Sequence, residues 1–311
     1  MLKPTDKNSV IELRRVGTTM GASVSGIDLG KPLNDSQFAA ILNALGEQKV
    51  LCFPGQPIGP EALRDFSKRF GSLQITPIGQ MPNLPDVSIL SNIVIDGRNI
   101  GIPDAGQSWH TDMTYNNVPG FVNVLVAQKV PSRNGKVLGS TEFTNTEASC
   151  ADLPKDLVKK LLGLTATHDI NKFWEYMRRE KGSDRPPMTS EQRAKHPAST
   201  HPVLLTHPIT GRMVINVNPG FTERIDQLPV AQSDRILQEL FDHILQPKYR
   251  YVHNWKVEDV LLWDHLSTWH NAIGDYEPHE ERLMIRCQVM ADQIFDPAFT
   301  KKFKNTIQES N

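Results

Sequence analysis

Apolar positions along the chain fall into two patterns, helical near the start and mostly strand-like thereafter. In NDSQFAAILNALGEQ (34–48), Phe38, Ile41, Leu42 and Leu45 fall at i, i+3, i+4 and i+7 behind the capping candidates Asn34 and Asp35. This spacing predicts a helix. In PEALRDFSKRF (60–70), Leu63, Phe66 and Phe70 share a face, and Pro60 suits a first helical turn. KVLCF (49–53), between them, reads as a buried strand. Beyond residue 75 short β-rich runs dominate: VSILSNIVI (87–95), FVNVLVAQKV (121–130), MVINVN (213–218), VEDVLLWD (257–264) and RLMIRCQVM (282–290). Helical patterns interrupt them at LPKDLVKKLLGL (153–164) and DRILQELFDHIL (234–245). Strands and helices do not alternate regularly, which argues against a doubly wound parallel sheet. A β-rich α+β fold, a sandwich or barrel with helices packed outside, fits better.

Residues 171–200 break both patterns. They are polar, contain prolines and show only weak periodicity. Such a stretch reads as a surface excursion, and active-site lids are drawn from the same class.

Composition narrows the functional classes. With 34 basic and 35 acidic residues among 311, the net charge is -1. That balance gives no electrostatic reason to bind nucleic acid or an anionic membrane. The three cysteines, Cys52, Cys150 and Cys287, are far apart and form no CxxC pair, so neither a disulfide framework nor a zinc ribbon is expected. MLKPTDKNSV (1–10) lacks the apolar core of a signal peptide, and no apolar run reaches membrane-spanning length. The expected location is the cytoplasm, whose reducing conditions suit ferrous iron.

Candidate chemistry enters at SWHTDMTY (108–115). On an extended strand residues i and i+2 point to one face, so His110 and Asp112 can aim an imidazole and a carboxylate into one cavity. Alone this pair is equally a hydrogen-bonded surface feature. Downstream, a strand runs into Trp263-Asp264, and His270, Arg282 and Arg286 follow. On a strand the two arginines share a face. Two histidines and a carboxylate occupy three corners of an octahedron and leave three open, as in non-haem iron(II) oxygenases. Two open corners suit a chelating ligand such as 2-oxoglutarate, and the third suits O2. The far carboxylate of such a ligand needs a forked cation, which arginine supplies better than lysine.

These segments, taken together and in order, resemble the TauD/TfdA family of Fe(II)/2-oxoglutarate-dependent dioxygenases. The resemblance runs through GASVSGIDLGKPL (21–33), VLCFPGQ (50–56), FSKRFGSL (66–73) and WHTDMTY (109–115). It continues through LTHPITGRMVINVNPGFTERI (205–225) and WDHLSTWHNAIGDY with RLMIR (263–286). It implies a single domain over 1–311 with a double-stranded β-helix (jelly-roll, cupin-like) core, flanking helices and a lid or insert at 171–200. It implies that His110, Asp112 and His270 ligate Fe(II). Arg282 matches the arginine that holds the distal carboxylate of 2-oxoglutarate, and Thr141, in LGSTEF, matches the threonine that shares this task. The family's usual GGDT is shortened here to GST behind a longer loop, VPSRNGKVL. Arg286 matches an arginine that contacts an anionic group of the substrate in relatives, and Phe221 matches an aromatic wall of the pocket. His265 is a rival ligand near His270. The family usually has Asn there, so His265 reads as a structural or supporting residue.

The implied reaction converts 2-oxoglutarate and O2 to succinate and CO2 while a substrate C–H is hydroxylated. An intact Asp112 fits hydroxylation, or the cleavage or desaturation that follows from it, and not the halogenation of relatives that lack the carboxylate. The expected partner is a small anionic molecule: a carboxylate, a sulfonate or an aryloxyalkanoate. Taurine is not expected, because Thr76 and Gly79 stand where a taurine enzyme carries His and Tyr. Trp174, in the run Phe173-Trp174-Tyr176, is a candidate substrate contact on the lid. Small homo-oligomers, dimers or tetramers, are common among such relatives. Two other readings stay open at this point. Two histidines and a carboxylate also suit a zinc hydrolase, and a binding protein can keep the fold without turnover.

Overall fold

The computed structural model describes residues 11–76, 78–183 and 185–308, with side chains to Phe303. The N-terminal stretch read for a signal peptide lies outside these residues. No described helix is long and apolar enough to cross a membrane.

The first predicted helix forms as Asp35–Gln48. Asn34 closes a capping box: its side chain accepts from the Gln37 amide at 2.8 Å, and Gln37 accepts from the Asn34 amide at 3.0 Å. Phe38, Ile41 and Leu45 on its inner face are fully buried, each such side chain contributing about 1.5–3 kcal/mol. The second predicted helix forms as Pro60–Ser67, with proline in its first turn.

Both helices pack on an eight-stranded mixed sheet. Its order is Glu12–Arg15, Ala22–Ser25, Val50–Phe53, Val260–Asp264, Gly120–Lys129, Leu283–Met290, Leu84–Ser91 and Gln80–Met81. Only the Ala22–Ser25 and Val50–Phe53 pair is parallel. Alternation divides each central strand between two layers. Val122, Val124, Val126, Ile285, Cys287 and Val289 face the helices. Leu125, Met284, Leu261 and Trp263 face the other way, towards Phe143 and Trp255. Asn123 and Arg286 therefore point to this second face, as period two demands.

Opposite that face lies a three-stranded antiparallel sheet, Arg250–His253, Thr141–Asn145 and Thr268–Ala272. A third apolar cluster, around Trp269, Ile225 and the helix Val230–Ile244, closes its far side.

Two expectations change in detail. The run 87–95 is not one strand: Leu84–Ser91 ends, and Val94–Ile95 forms an exposed hairpin with Arg98–Asn99. Asn92 diverts the chain, because its Oδ1 accepts from the Arg282 amide at 2.8 Å and its Nδ2 donates to the Glu280 carbonyl at 3.1 Å. The polar stretch 171–200 carries two helices, Ile170–Glu180 and Ser190–Lys195. Asp169 caps the first by accepting from the Asn171 amide at 2.8 Å, and Thr189 and Gln192 form a capping box for the second. The strands before and after, Thr165–His168 and Ser199–Pro202, pair antiparallel, so the whole excursion leaves and rejoins the fold at adjacent points.

Candidate active site

The backbone brings the two histidines together. His110 and His270 form an antiparallel bridge, each amide donating to the other's carbonyl at 3.1 and 2.9 Å. Their rings lie 4.2 Å apart. Thr111 reinforces the bridge by donating its hydroxyl to the Thr268 carbonyl at 2.7 Å. The chain must also pass tightly at Gly220, where a Cβ would sit 2.7 Å from the Cβ of His110. Asp112 then projects beside the histidines, and ligand atoms of His110, Asp112 and His270 all lie within 4.8 Å of one another.

A ring of donors surrounds Asp112. His110 Nε2 is 3.2 Å from Oδ1, and Asn123 Nδ2 donates to Oδ2 at 3.3 Å. His270 Nε2 and Arg286 Nη1 are each 3.6 Å from Oδ2. Burial pushes the Asp112 carboxyl up, but the His110 hydrogen bond and the positive potential of His110, His270 and Arg286 outweigh it and hold the group well below the usual carboxylate range. Burial, then repulsion from His110, pushes His270 well down, the direction that favours a ring with a lone pair to offer. His110 Nδ1 is 2.6 Å from the Ser108 carbonyl, which orients the ring and leaves Nε2 facing Asp112.

His265 is buried 4.0 Å from Asp112 Oδ2 and outside the three-residue set. Burial lowers its pKa to about 4. Neither of its ring nitrogens has a hydrogen-bond partner among the described residues.

Arg286, on Leu283–Met290, lies beside Asp112, and Arg282 immediately precedes that strand. Arg282 is almost wholly buried, and burial lowers its pKa against the opposing pull of Tyr276. Gly139, in the left-handed region at φ 70°, leaves room for it, since a Cβ there would sit 3.0 Å from Arg282 Nε. Thr141, two residues on, is buried and accepts from Trp255 Nε1 at 3.0 Å. The Nε groups of Arg282 and Arg286 have no hydrogen-bond partner among the described residues. Buried cationic donors without acceptors are costly. An anion beside either of them would supply the missing acceptor.

An aromatic wall covers the histidines. Phe221 lies 6.0 Å from His110, 4.8 Å from Tyr115 and 5.3 Å from Phe173, and Phe173 is 5.3 Å from His110, ring to ring. Phe173 comes from the helix Ile170–Glu180. Its neighbour Trp174 points elsewhere, into a cavity of about 400 Å³ lined by Ile102, Asp104, Gln107, Met177 and Arg185. Trp174 Nε1 donates to the Pro186 carbonyl at 2.7 Å, and Arg185 lies 5.0 Å over its ring. Gly79 also lines this cavity, while the Thr76 hydroxyl bonds to Ile78 O and Ser88 Oγ.

Sequence reasoning therefore placed His110, Asp112, His270, Arg286 and Phe221 in one constellation, and Arg282 and Thr141 beside Gly139 and Trp255 at its edge. It missed Asn123, whose signal was a polar residue inside the apolar run FVNVLVA. It also chose Trp174 over Phe173, the aromatic of Ile170–Glu180 that meets His110.

A sequence profile described as "Taurine catabolism dioxygenase TauD, TfdA family" matches residues 12–288. A pentalenolactone F synthase of Streptomyces avermitilis is 30% identical over 295 residues, covering 90% of this chain and 94% of that protein. An alpha-ketoglutarate-dependent 2,4-dichlorophenoxyacetate dioxygenase of a Burkholderia species is 29% identical over 261 residues, covering 80% and 84%. Among solved structures, AAD-2 in complex with Mn(II) and N-oxalylglycine superposes with a TM-score of 0.74 at 25% identity, covering 90% of this chain and 97% of that one.

Proposed function

This chain belongs to the TauD/TfdA family and is a 2-oxoglutarate-dependent dioxygenase, and from that premise we propose that His110, Asp112 and His270 hold its Fe(II). The donor set fits the ion: two imidazoles and a carboxylate held well below its usual range converge, and three coordination positions remain for other ligands. Arg282 and Thr141 bind the distal carboxylate of 2-oxoglutarate. The observation that carries this reading is the pair of buried arginine Nε donors, on Arg282 and Arg286, that lack acceptors beside a metal-type donor set. A zinc hydrolase gives no role to two such cations.

When bound, Fe(II) with 2-oxoglutarate and O2 supplies the oxidation, so that substrate C–H becomes C–OH and 2-oxoglutarate becomes succinate and CO2. The chain's own groups do the rest. Asn123 holds the Asp112 carboxylate in place by donating to its Oδ2. Phe221 and Phe173 exclude water over His110 and seat the apolar body of the substrate. Arg286, which has only a long contact to Asp112, attracts the anionic end. Trp174 shapes the separate cavity lined by Ile102, Asp104 and Arg185.

The substrate class is a small organic anion with an apolar or aromatic body. 2,4-Dichlorophenoxyacetate, named for one relative, is such a carboxylate, and N-oxalylglycine, bound in a structural neighbour, is an isostere of 2-oxoglutarate. The core is a double-stranded β-helix, a reading supported by two sheets that face each other across the ligand set, and the whole chain is one domain. Residues 171–200 are its lid, supported by the contact of Phe173 with His110. A panel of carboxylates, sulfonates and aryloxyalkanoates scored by succinate release tests the reading. Release above background with at least one apolar anion, abolished in His270→Ala, is expected. No stimulation by any member of the panel would overturn the substrate class.

A further inference from the structure

A second cluster of metal-type donors lies away from the iron ligands, where the two sheets meet at their far end. Cys52 comes from the strand Val50–Phe53, His253 from Arg250–His253, and Asp259 from the turn that leads into Val260–Asp264. All three are buried, and their sulfur, nitrogen and oxygen atoms lie within 4.8 Å of one another. We propose that Cys52, His253 and Asp259 form a second divalent metal site, suited to zinc-class ions and separate from the His110–Asp112–His270 set.

Charge is the first argument. Asp259 accepts from the Lys256 amide at 2.9 Å and lies 3.2 Å from His253 Nε2. Among the described residues no lysine or arginine forms an ion pair with it. A buried carboxylate beside a thiol and an imidazole lacks a compensating cation. A divalent ion supplies one: the Cys52 S–H bond breaks, its proton leaves to solvent, and the sulfur lone pair binds the metal with no change of oxidation state. Thiolate, carboxylate and neutral imidazole then balance two positive charges.

Donor type and surroundings are the second. One sulfur, one nitrogen and one oxygen select a borderline ion such as zinc over magnesium or calcium, with a fourth position for water. The Tyr251 hydroxyl, 3.3 Å from His253 Nδ1, orients the ring as the outer partner of a metal-bound histidine does. Lys256, Val257 and Glu258, which directly precede Asp259, are exposed, so the cluster lies close to solvent along the chain. His253 is also the direct strand partner of Thr141, so this site is one strand away from the 2-oxoglutarate threonine.

Titration of the metal-free full chain with Co(II), competed with Zn(II), tests this. The expected result is two ions per chain and a near-ultraviolet thiolate-to-cobalt band that Zn(II) removes. Cys52→Ser should lose the band and bind one ion, whereas His270→Ala should keep the band. The wild-type titration is decisive even if a variant folds poorly. One ion per chain without a thiolate band would show a hydrogen-bonded cluster only and overturn the proposal, as would a band that persists in folded Cys52→Ser.

Discussion

His110 and Phe173 sit 5.3 Å apart, ring to ring, yet the chain holds them by different means. His110 belongs to a buried floor, fixed by two backbone hydrogen bonds to His270 and by Thr111. Phe173 rides on Ile170–Glu180, a helix with one fully buried side chain, Met177. Its outer face is laced by Glu175 with Arg178 and Arg179, and beyond its end Ser183 and Arg185 reach Asp104 at 2.7 and 2.6 Å. Ion pairs at or near the surface contribute about 0–1 kcal/mol each, whereas orphaning a fully buried hydrogen-bonded group costs about 1–3 kcal/mol. The floor cannot change without disturbing the core. The helix Ile170–Glu180 can, so on the proposed reading reaction chemistry and substrate choice are carried by parts of unequal rigidity.

Substitutions should separate the two. The largest effect is expected in the floor: His270→Ala or Asp112→Ala removes a metal ligand and should cut succinate formation by about 10³-fold or more. Titration of bound iron checks it, and near-normal iron content with full activity would break the comparison. Next, Arg282→Lys should raise the KM for 2-oxoglutarate by about 10- to 100-fold through loss of a forked, charge-assisted contact. Iron binding should be retained, and an unchanged KM would remove Arg282 from its role.

In the lid, Phe173→Ala should raise the KM for the organic substrate by about 10-fold while the KM for 2-oxoglutarate stays within about twofold. Trp174→Ala should do less, because its ring faces the separate cavity, and the reverse ranking in a steady-state comparison would exchange their roles. The smallest effect belongs to Asp104→Ala. Global stability should change by no more than about 1 kcal/mol, while trypsin should cut faster at Lys181 or Arg185. Unchanged cleavage would mean that Asp104 does not hold the lid down.

The floor was legible in the sequence because its parts obey strong local rules. Alternation in 282–290 put Arg282 and Arg286 on one face. The extended strand read for His110 and Asp112, however, does not form: His110 makes an isolated bridge to His270, and Asp112 meets it from the turn that follows. What brings these segments together is long-range pairing, such as His110 with His270, and spacing alone does not show it. The resemblance to a known family supplied that step. The lid was less legible. Its apolar face is only Ile170, Phe173 and Met177, at i, i+3 and i+7, among charged residues. Its capping residue, Asp169, lies outside the polar stretch that drew the eye, so the helix read as irregular chain. Which of two adjacent aromatics meets His110 depends on a helical phase that a weak pattern does not fix. His265 shows the same limit. Its sequence position makes it a rival ligand, and only the packing leaves it buried 4.0 Å from Asp112 with neither nitrogen partnered among the described residues.

The central claim is that one buried set, His110, Asp112 and His270 with Arg282 alongside, holds Fe(II) and 2-oxoglutarate together. An anaerobic titration of the purified protein with Fe(II) and then 2-oxoglutarate tests it most directly. The account predicts a visible charge-transfer band that saturates at one equivalent of each, is absent in His270→Ala, and needs more 2-oxoglutarate in Arg282→Lys. No band in the wild-type protein, or an identical band in His270→Ala, would contradict it.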